Sequence, residues 1–392
     1  MDSPPASSRS PIAALREGLR RQMPACRHWA YLDNAAVAPL PQPAADAIGE
    51  MAAAFAEHGD TDWPALNRRA QRCRTLAADL IGADETEIAL VPNTTHGLSL
   101  VAEGYPWEPG DNVVTLANEF PSNQYPWLNL VSRGVEVRRV GVDGVVVDRS
   151  RLADACDSRT RIVAVSWVGY ATGFRADPAA LAEVAHQAGA LLCLDAIQGL
   201  GVFPMDVKAA GVDFLAADGH KWLLGPEGAG VFYIRRDLLD RLRVFGAGWH
   251  SVKAGHDFST IEFDLRDDAA RFEGGSLNLI GFAGLAASLE ILSRAGLSHD
   301  RSPIADAVLD LGEYACQRLK RIGATVFSDR TPTHASGIVS FLPRDGEPAV
   351  WASRLKAAGV AVAARNGWLR ASMHGYNDES DIDRLIETLK KG

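Results

Sequence analysis

Three short stretches of this chain hold side chains whose types and spacing suit chemistry. In "AADGHKWLLGPEGAG", residues 216–230, Lys221 is flanked by Phe214, Leu215, Trp222, Leu223 and Leu224, with glycines at 219, 225, 228 and 230. A lysine in so apolar a setting needs a partner or a task, because an ammonium is costly to bury. Held in a semi-apolar turn, its amine would have a lowered pKa and would trap carbonyl groups. A snorkelling surface lysine is the ordinary alternative, but a tight, glycine-permitted turn is out of keeping with an exposed helix face. Asp195 closes the apolar run "LLCLD" 26 residues earlier, where a carboxylate must meet a donor or a cation. Gln198 follows it by three residues. In "PNTTHGLSLVA", residues 91–101, Thr94 and Thr95 open an apolar-periodic helix. Backbone N–H groups and hydroxyls there suit a phosphate, although simple N-capping explains the same residues. "GPEGAG" is not a P-loop, since it lacks the closing G-K-[ST].

These groups must be positioned by the elements around them. "RIVAVSWV" (161–168), "ALLCLDA" (190–196), "FLAAD" (214–218) and "GVFYI" (230–234) are apolar runs of strand length. Between the first two, Asp177 is an N-cap, Pro178 opens a helix and Gly189 ends it, while Leu181, Val184, Ala185 and Ala188 share one face. Apolar strands joined by a covering helix predict an α/β fold with a mainly parallel sheet covered on both faces. Ligand groups in such sheets sit at the carboxyl ends of the strands, where Asp195 falls. After about residue 265 the pattern changes. "SGIVSFLP", a helix through "AVWASRLKAAG", "VAVAARNGWLRASM" and a last helix "DESDIDRLIETLKK", with Ile382, Leu385, Ile386 and Leu389 as its stripe, predict a smaller α+β unit. The expected organisation is an N-terminal arm over 1–30, loose and polar in "MDSPPASSRSP", a large domain over 31–265, and a bridging segment with a small domain over 266–392.

Composition narrows the classes. A formal charge of -9 disfavours a nucleic-acid partner. No uninterrupted apolar stretch approaches the ~20 residues of a membrane span, and no signal-peptide pattern opens the chain. The five cysteines, at 26, 73, 156, 193 and 316, are widely spaced and odd in number, which suggests neither a zinc site nor a disulfide framework. A cytoplasmic enzyme without a metal is the expectation. No G-x-G-x-x-G follows an early strand, so a dinucleotide fold is weakly supported.

A phosphate cradle, a strand-end carboxylate and a lysine beyond a later strand are together what pyridoxal 5'-phosphate requires. With "LDAIQ", "GHK" and "RFEGGSLN" at their intervals, the chain resembles the class V aminotransferase family of fold-type I pyridoxal-phosphate enzymes, near the cysteine desulfurase and selenocysteine lyase branch. The likeness runs from "YLDNAAVAPLP" (31–41) to "LRASMHGYNDESDIDRL" (369–385). The resemblance implies that Lys221 is joined to the cofactor, that Asp195 pairs with the pyridine nitrogen, and that Gln198 reaches the ring hydroxyl. It implies that Thr94, Thr95 and His220 hold the phosphate and that Phe120 stacks on the ring, where relatives often have histidine. It implies that Arg370 binds the substrate carboxylate with help from Arg365, and that Ser276 reaches a partner's phosphate in a homodimer.

Three departures shape the functional expectation. Desulfurases use a mobile cysteine ahead of the carboxylate-binding arginine, whereas "ARNGWLRAS" runs straight from Arg365 to Arg370 and no cysteine follows Cys316. Asp218 replaces a Ser or Thr before "GHK" and must point away, be neutral or meet a cation. Trp167 replaces a polar residue and is expected to reshape the pocket; Trp249 is a second candidate wall. His96, His250, His256 and His374 belong to no motif. The expected function is a C–S lyase acting by β-elimination on an amino acid, lacking the persulfide-forming cysteine. A class V aminotransferase is the alternative, and a non-catalytic pyridoxal-phosphate-binding protein a further one; the latter would have no use for a substrate-carboxylate clamp.

Overall fold

A computed structural model describes residues 10–259 and 261–391. Residues 1–9 of the polar opening lie outside the described residues. Eight strands precede residue 240: β1 (Ala30–Tyr31), β2 (Ile88–Val91), β3 (Asn112–Leu116), β4 (Glu136–Val140), β5 (Thr160–Ser166), β6 (Leu191–Asp195), β7 (Phe214–Asp218) and β8 (Gly230–Ile234). Seven of them form one sheet in the order β2-β8-β7-β6-β5-β3-β4. Strands β3 to β7 are mutually parallel, and β8 runs against both of its neighbours.

The near-continuous apolar runs of β6, β7 and β8 are buried at every position. Leu192, Leu194, Leu215, Ala217, Val231 and Tyr233 enter one apolar cluster, while Leu191, Cys193, Phe214, Ala216, Phe232 and Ile234 enter another. That period of two, with both faces covered, is why the runs lack polar alternation. The covering helix Pro178–Gln187 begins at Asp177, whose side chain accepts from Ala179 N–H, and Gly189 follows it at φ 74°. Ser166 and Asp195 are register partners at the carboxyl ends of β5 and β6, so Asp195 stands at the middle of the sheet edge.

Five further strands are β9 (Thr325–Val326), β10 (Ile338–Leu342), β11 (Val360–Ala361), β12 (Ala363–Arg365) and β13 (Trp368–Ser372). Four of these make an antiparallel sheet in the order β12-β13-β10-β9. Phe341, Leu355, Leu369, Ile382, Leu385 and Ile386 form its core. Strand β1 pairs in parallel with β11, which joins residues 30–31 to the later unit. The helix Pro11–Arg20 is tied to the same unit by Arg16, 2.8 Å from both Asp310 and Glu379, and by Arg20, which grips Asp381 with two N–H groups. β12 and β13 meet at Asn366 (φ 50°) and Gly367 (φ 81°), between the paired residues Arg365 and Trp368. A two-residue turn with both central φ positive needs this Asn-Gly pair.

Gly201, at φ 103°, lies against the backbone of Trp222, where an added Cβ would collide with the Trp222 carbonyl. Gly201→Ala should therefore lower unfolding free energy by about 3 kcal/mol, measured by urea denaturation.

Candidate active site

A cavity of about 360 Å³ opens at the carboxyl edge of the large sheet. Thr94, Thr95, Phe120, Asp195, Gln198, His220, Lys221, Arg365 and Arg370 all line it. Ser276, expected at a phosphate, is elsewhere: it is exposed and does not line this cavity. A larger hollow of about 860 Å³ lies between residues 143–151, the helix Pro178–Gln187 and His334, and contains none of these groups.

Lys221 follows β7 in a turn where Gly219 N–H donates to Ala229 O, Gly225 N–H donates to Gly219 O, and Leu224 takes φ 56°. A Cβ on Gly219 would stand 2.6 Å from Ala229 O, so glycine there permits the close approach of the strands. Lys221 is only 8% exposed. Burial lowers its pKa to about 8, opposed by the charge of Asp195 and aided by Arg370. Burial raises Asp195 to about 6, opposed by the Ile197 N–H that it accepts at 3.1 Å and by Lys221. Both groups thus exchange protons near neutral pH, which acid–base work requires. Lys221 Nζ lies 5.4 Å from the centre of the Phe120 ring.

Gln198 is oriented by Trp222, whose indole N–H donates to its Oε1 at 2.7 Å. Because indole nitrogen is donor-only, the amide NH₂ must be the other end; it donates to Ala35 O at 3.0 Å. A second N–H remains on that nitrogen. At the opposite end, Asn93 caps the helix Thr94–Gly104 by accepting from His96 N–H. The first N–H groups of a helix have no intrahelical partner and carry partial positive charge. Thr94 Oγ1 accepts Asp218 N–H at 2.9 Å, which leaves its hydroxyl hydrogen to donate. Thr95 Oγ1 donates to Ser122. Asp218 Oδ2 is 2.9 Å from His220 Nδ1, so its charge meets a cation whenever His220 is protonated.

Arg370 is almost fully buried. Nη1 donates to Tyr170 O at 2.8 Å and Nη2 to Asp33 at 3.0 Å. Two of the five guanidinium N–H groups are thereby used, and Nε has no partner. Burial pushes the Asp33 carboxyl up, and Arg370 opposes that shift. Arg365 donates to its neighbour Ala364 O and otherwise faces the opening. These features fit pyridoxal phosphate: a positive helix end with hydroxyls, a strand-end carboxylate opposite an amine, and an unpaired buried guanidinium N–H. The Asp218 carboxylate is turned to His220.

Asp33, Tyr170 and Trp222 were not singled out from sequence, because their roles arise from contacts with residues distant in the chain. Trp167 does not reshape the cavity. It is buried against Gly199 and Phe203 in the core and lines no part of the site. Trp249 also lies outside, packed among His250, His256 and Phe258. His374 is a core histidine whose Nε2 lies 3.0 Å from Trp222 O, and burial lowers its pKa to about 4. None of the residues lining the cavity is a cysteine.

The sequence pattern of the family Aminotransferase class-V matches residues 30–385. The chain belongs to the class V aminotransferase family, whose members are pyridoxal-phosphate-dependent enzymes of the fold seen here. It is 34% identical to a probable cysteine desulfurase of Methanothermobacter thermautotrophicus, over 96% of this chain and 97% of the relative. It is 29% identical to the cysteine desulfurase CsdA of Escherichia coli, over 95% and 96%. The apo structure of a cysteine desulfurase from Thermococcus onnurineus superposes with a TM-score of 0.87 at 27% identity, covering 98% of each chain.

With Lys221 held to about 8, its neutral amine should condense with pyridoxal phosphate faster as pH rises, levelling above that value. Borohydride-fixed cofactor in apo protein measures the rate. Lys221→Ala should abolish the link, and a link that survives would remove Lys221 from this role.

Proposed function

We propose that this enzyme cleaves the carbon–sulfur bond of cysteine or a cysteine conjugate by β-elimination, releasing a free thiol or sulfide. The observation that carries the reading is one cavity holding Lys221, Asp195 and Arg370 with no cysteine on its wall. Similarity to cysteine desulfurases supports cysteine-like substrates. The two-residue turn at Asn366–Gly367 joins Arg365 to the strand of Arg370 directly and leaves no segment there to carry a nucleophilic thiol. Cys26, Cys73, Cys193 and Cys316 also have thiol pKa values raised by burial, the opposite of activation.

Pyridoxal phosphate, when bound, supplies the electron sink for the α-carbanion. The chain's residues do the rest. Arg370 binds the substrate carboxylate through its remaining N–H groups, with Asp33 and Tyr170 O fixing the plane of the guanidinium. Lys221 takes the α-proton as its neutral amine. Asp195 would keep the ring nitrogen of the bound cofactor protonated, Gln198 would offer its spare N–H to the ring hydroxyl, and Phe120 would give an apolar wall that moves no proton. Thr94, Thr95 and His220 hold the phosphate at the helix end. Residues 31–265 form the cofactor-binding domain in this reading, with a bridging segment and small domain over 266–392.

We assign the working form as a homodimer in which Ser276 serves the partner's phosphate. Exposed Phe258, Ile261 and Phe263, at 74%, 93% and 75%, support a further covering surface. Five unpaired cysteines support a reducing, cytoplasmic setting. Among the described residues no helix is long and apolar enough to cross a membrane.

Adding L-cysteine to holoenzyme should yield pyruvate and sulfide in catalytic amounts while the cofactor absorption band persists. Conversion of the cofactor to its pyridoxamine form without sulfide would establish transamination instead. Arg370→Lys keeps the charge but loses the fork. It should raise KM for carboxylate-bearing substrates about tenfold or more, and an unchanged KM would remove Arg370 from the site.

A further inference from the structure

Glu119, one residue before Phe120, is a buried carboxyl that the reaction above leaves without a task. Its Oε1 accepts Ser166 N–H at 2.7 Å, and the Ser166 hydroxyl meets Oε2. Ser166 ends β5 and is the direct register partner of Asp195 at the end of β6. One strand end is therefore flanked by two acids, Glu119 gripping it from the loop after β3 and Asp195 paired to it across the sheet. The other polar neighbour is Asn123, whose Oδ1 accepts Trp127 Nε1–H at 2.9 Å and which carries no charge. Among the described residues, Asp195 is the charged group that acts on Glu119, and Lys221 acts on Asp195 in turn. Burial first, and the charge of Asp195 after it, raise the Glu119 carboxyl to about 7.

Two carboxylates in one dry environment raise each other's proton affinity. A negative Glu119 makes Asp195 a better holder of a hydrogen-bonded cation. We propose that Glu119 is a positioning residue that acts through Ser166 and through its own charge on Asp195, strengthening the hold of Asp195 on a protonated ring nitrogen. The inference rests on the reading that Asp195 faces the pyridine nitrogen of the bound cofactor. A purely structural Glu119 would instead cap the end of β5 and have no bearing on the cofactor. Shape and charge separate the two roles. In Glu119→Gln the amide oxygen still accepts Ser166 N–H and the NH₂ donates to the hydroxyl, so the grip survives without the charge. In Glu119→Ala both are lost.

The test is a pH titration of the cofactor absorption of holoenzyme, with borohydride fixation and melting temperature measured on the same preparations. Glu119→Gln should melt near the wild-type temperature, keep its borohydride-fixable cofactor and move the spectral midpoint down by about one pH unit, the size of a tenfold change in proton affinity. A midpoint in Glu119→Gln that matches wild type, with only Glu119→Ala lowering the melting temperature, would overturn the proposal and leave Glu119 a structural cap. If wild-type protein itself carries no borohydride-fixable cofactor, the reading of the site fails and the proposal fails with it. That result is distinct from an unmoved midpoint in a properly loaded enzyme.

Discussion

Asp195 and Lys221 are buried in the wall of one cavity, and the rest of the architecture depends on keeping that pair of opposite charges together. Alone, either group would be neutralised by the cost of burial. Together each remains chargeable, but each is also drawn toward neutrality, the acid up to about 6 and the amine down to about 8. Burial is the larger cause for both, and their mutual attraction only partly offsets it. The consequence is a carboxylate and an amine that gain or lose protons within a narrow span around neutral pH. Neither property would survive if the two were solvated on a surface.

Holding such a pair requires rigidity on every side. Strands β6 and β7 are buried throughout, so their ends cannot drift. The turn carrying Lys221 combines the close backbone approach at Gly219 with positive φ at Leu224 and Gly228. Trp222, beside the lysine, turns Gln198 the right way round and carries the carbonyl that meets His374. One wall of the cavity comes from remote sequence: Arg370 from the small sheet, held by Asp33 from the segment after β1 and by Tyr170 from the loop after β5. The parallel pairing of β1 with β11 brings the first two within reach. A single arginine is thereby fixed by contacts to two distant parts of the chain.

Local patterns made the large sheet legible. "FLAAD" and "GVFYI" are strands over the same residues that their apolar runs define, and Asp177, Pro178 and Gly189 bound the helix they signal. The antiparallel sense of β8 was not legible, since a fully buried run looks the same in either direction. Motif residues that line the cavity were legible because their chemistry is uncommon in apolar surroundings. Trp167 was misread as a wall, and Trp249 was left open between wall and packing, because an aromatic residue near a motif has no local signal separating core from cavity. Asp33 and Glu119 were overlooked for the converse reason: an acidic residue in a loop looks solvated until its partners are known.

Sequence by itself marked Lys221 and Asp195 as candidates for chemistry, because both sit within apolar runs where only a functional or paired charge is tolerated. It also determined the α/β class, through runs whose burial on both faces leaves no polar alternation. Tertiary structure alone decided how those residues act. The proton affinities of the pair depend on burial and mutual distance, and the plane of Arg370 depends on Asp33 and Tyr170. Ser166, the register partner of Asp195, is held by Glu119 from a loop far off in the chain. These are interactions between residues far apart in the chain, and a linear pattern does not encode the distances that set electrostatic energy.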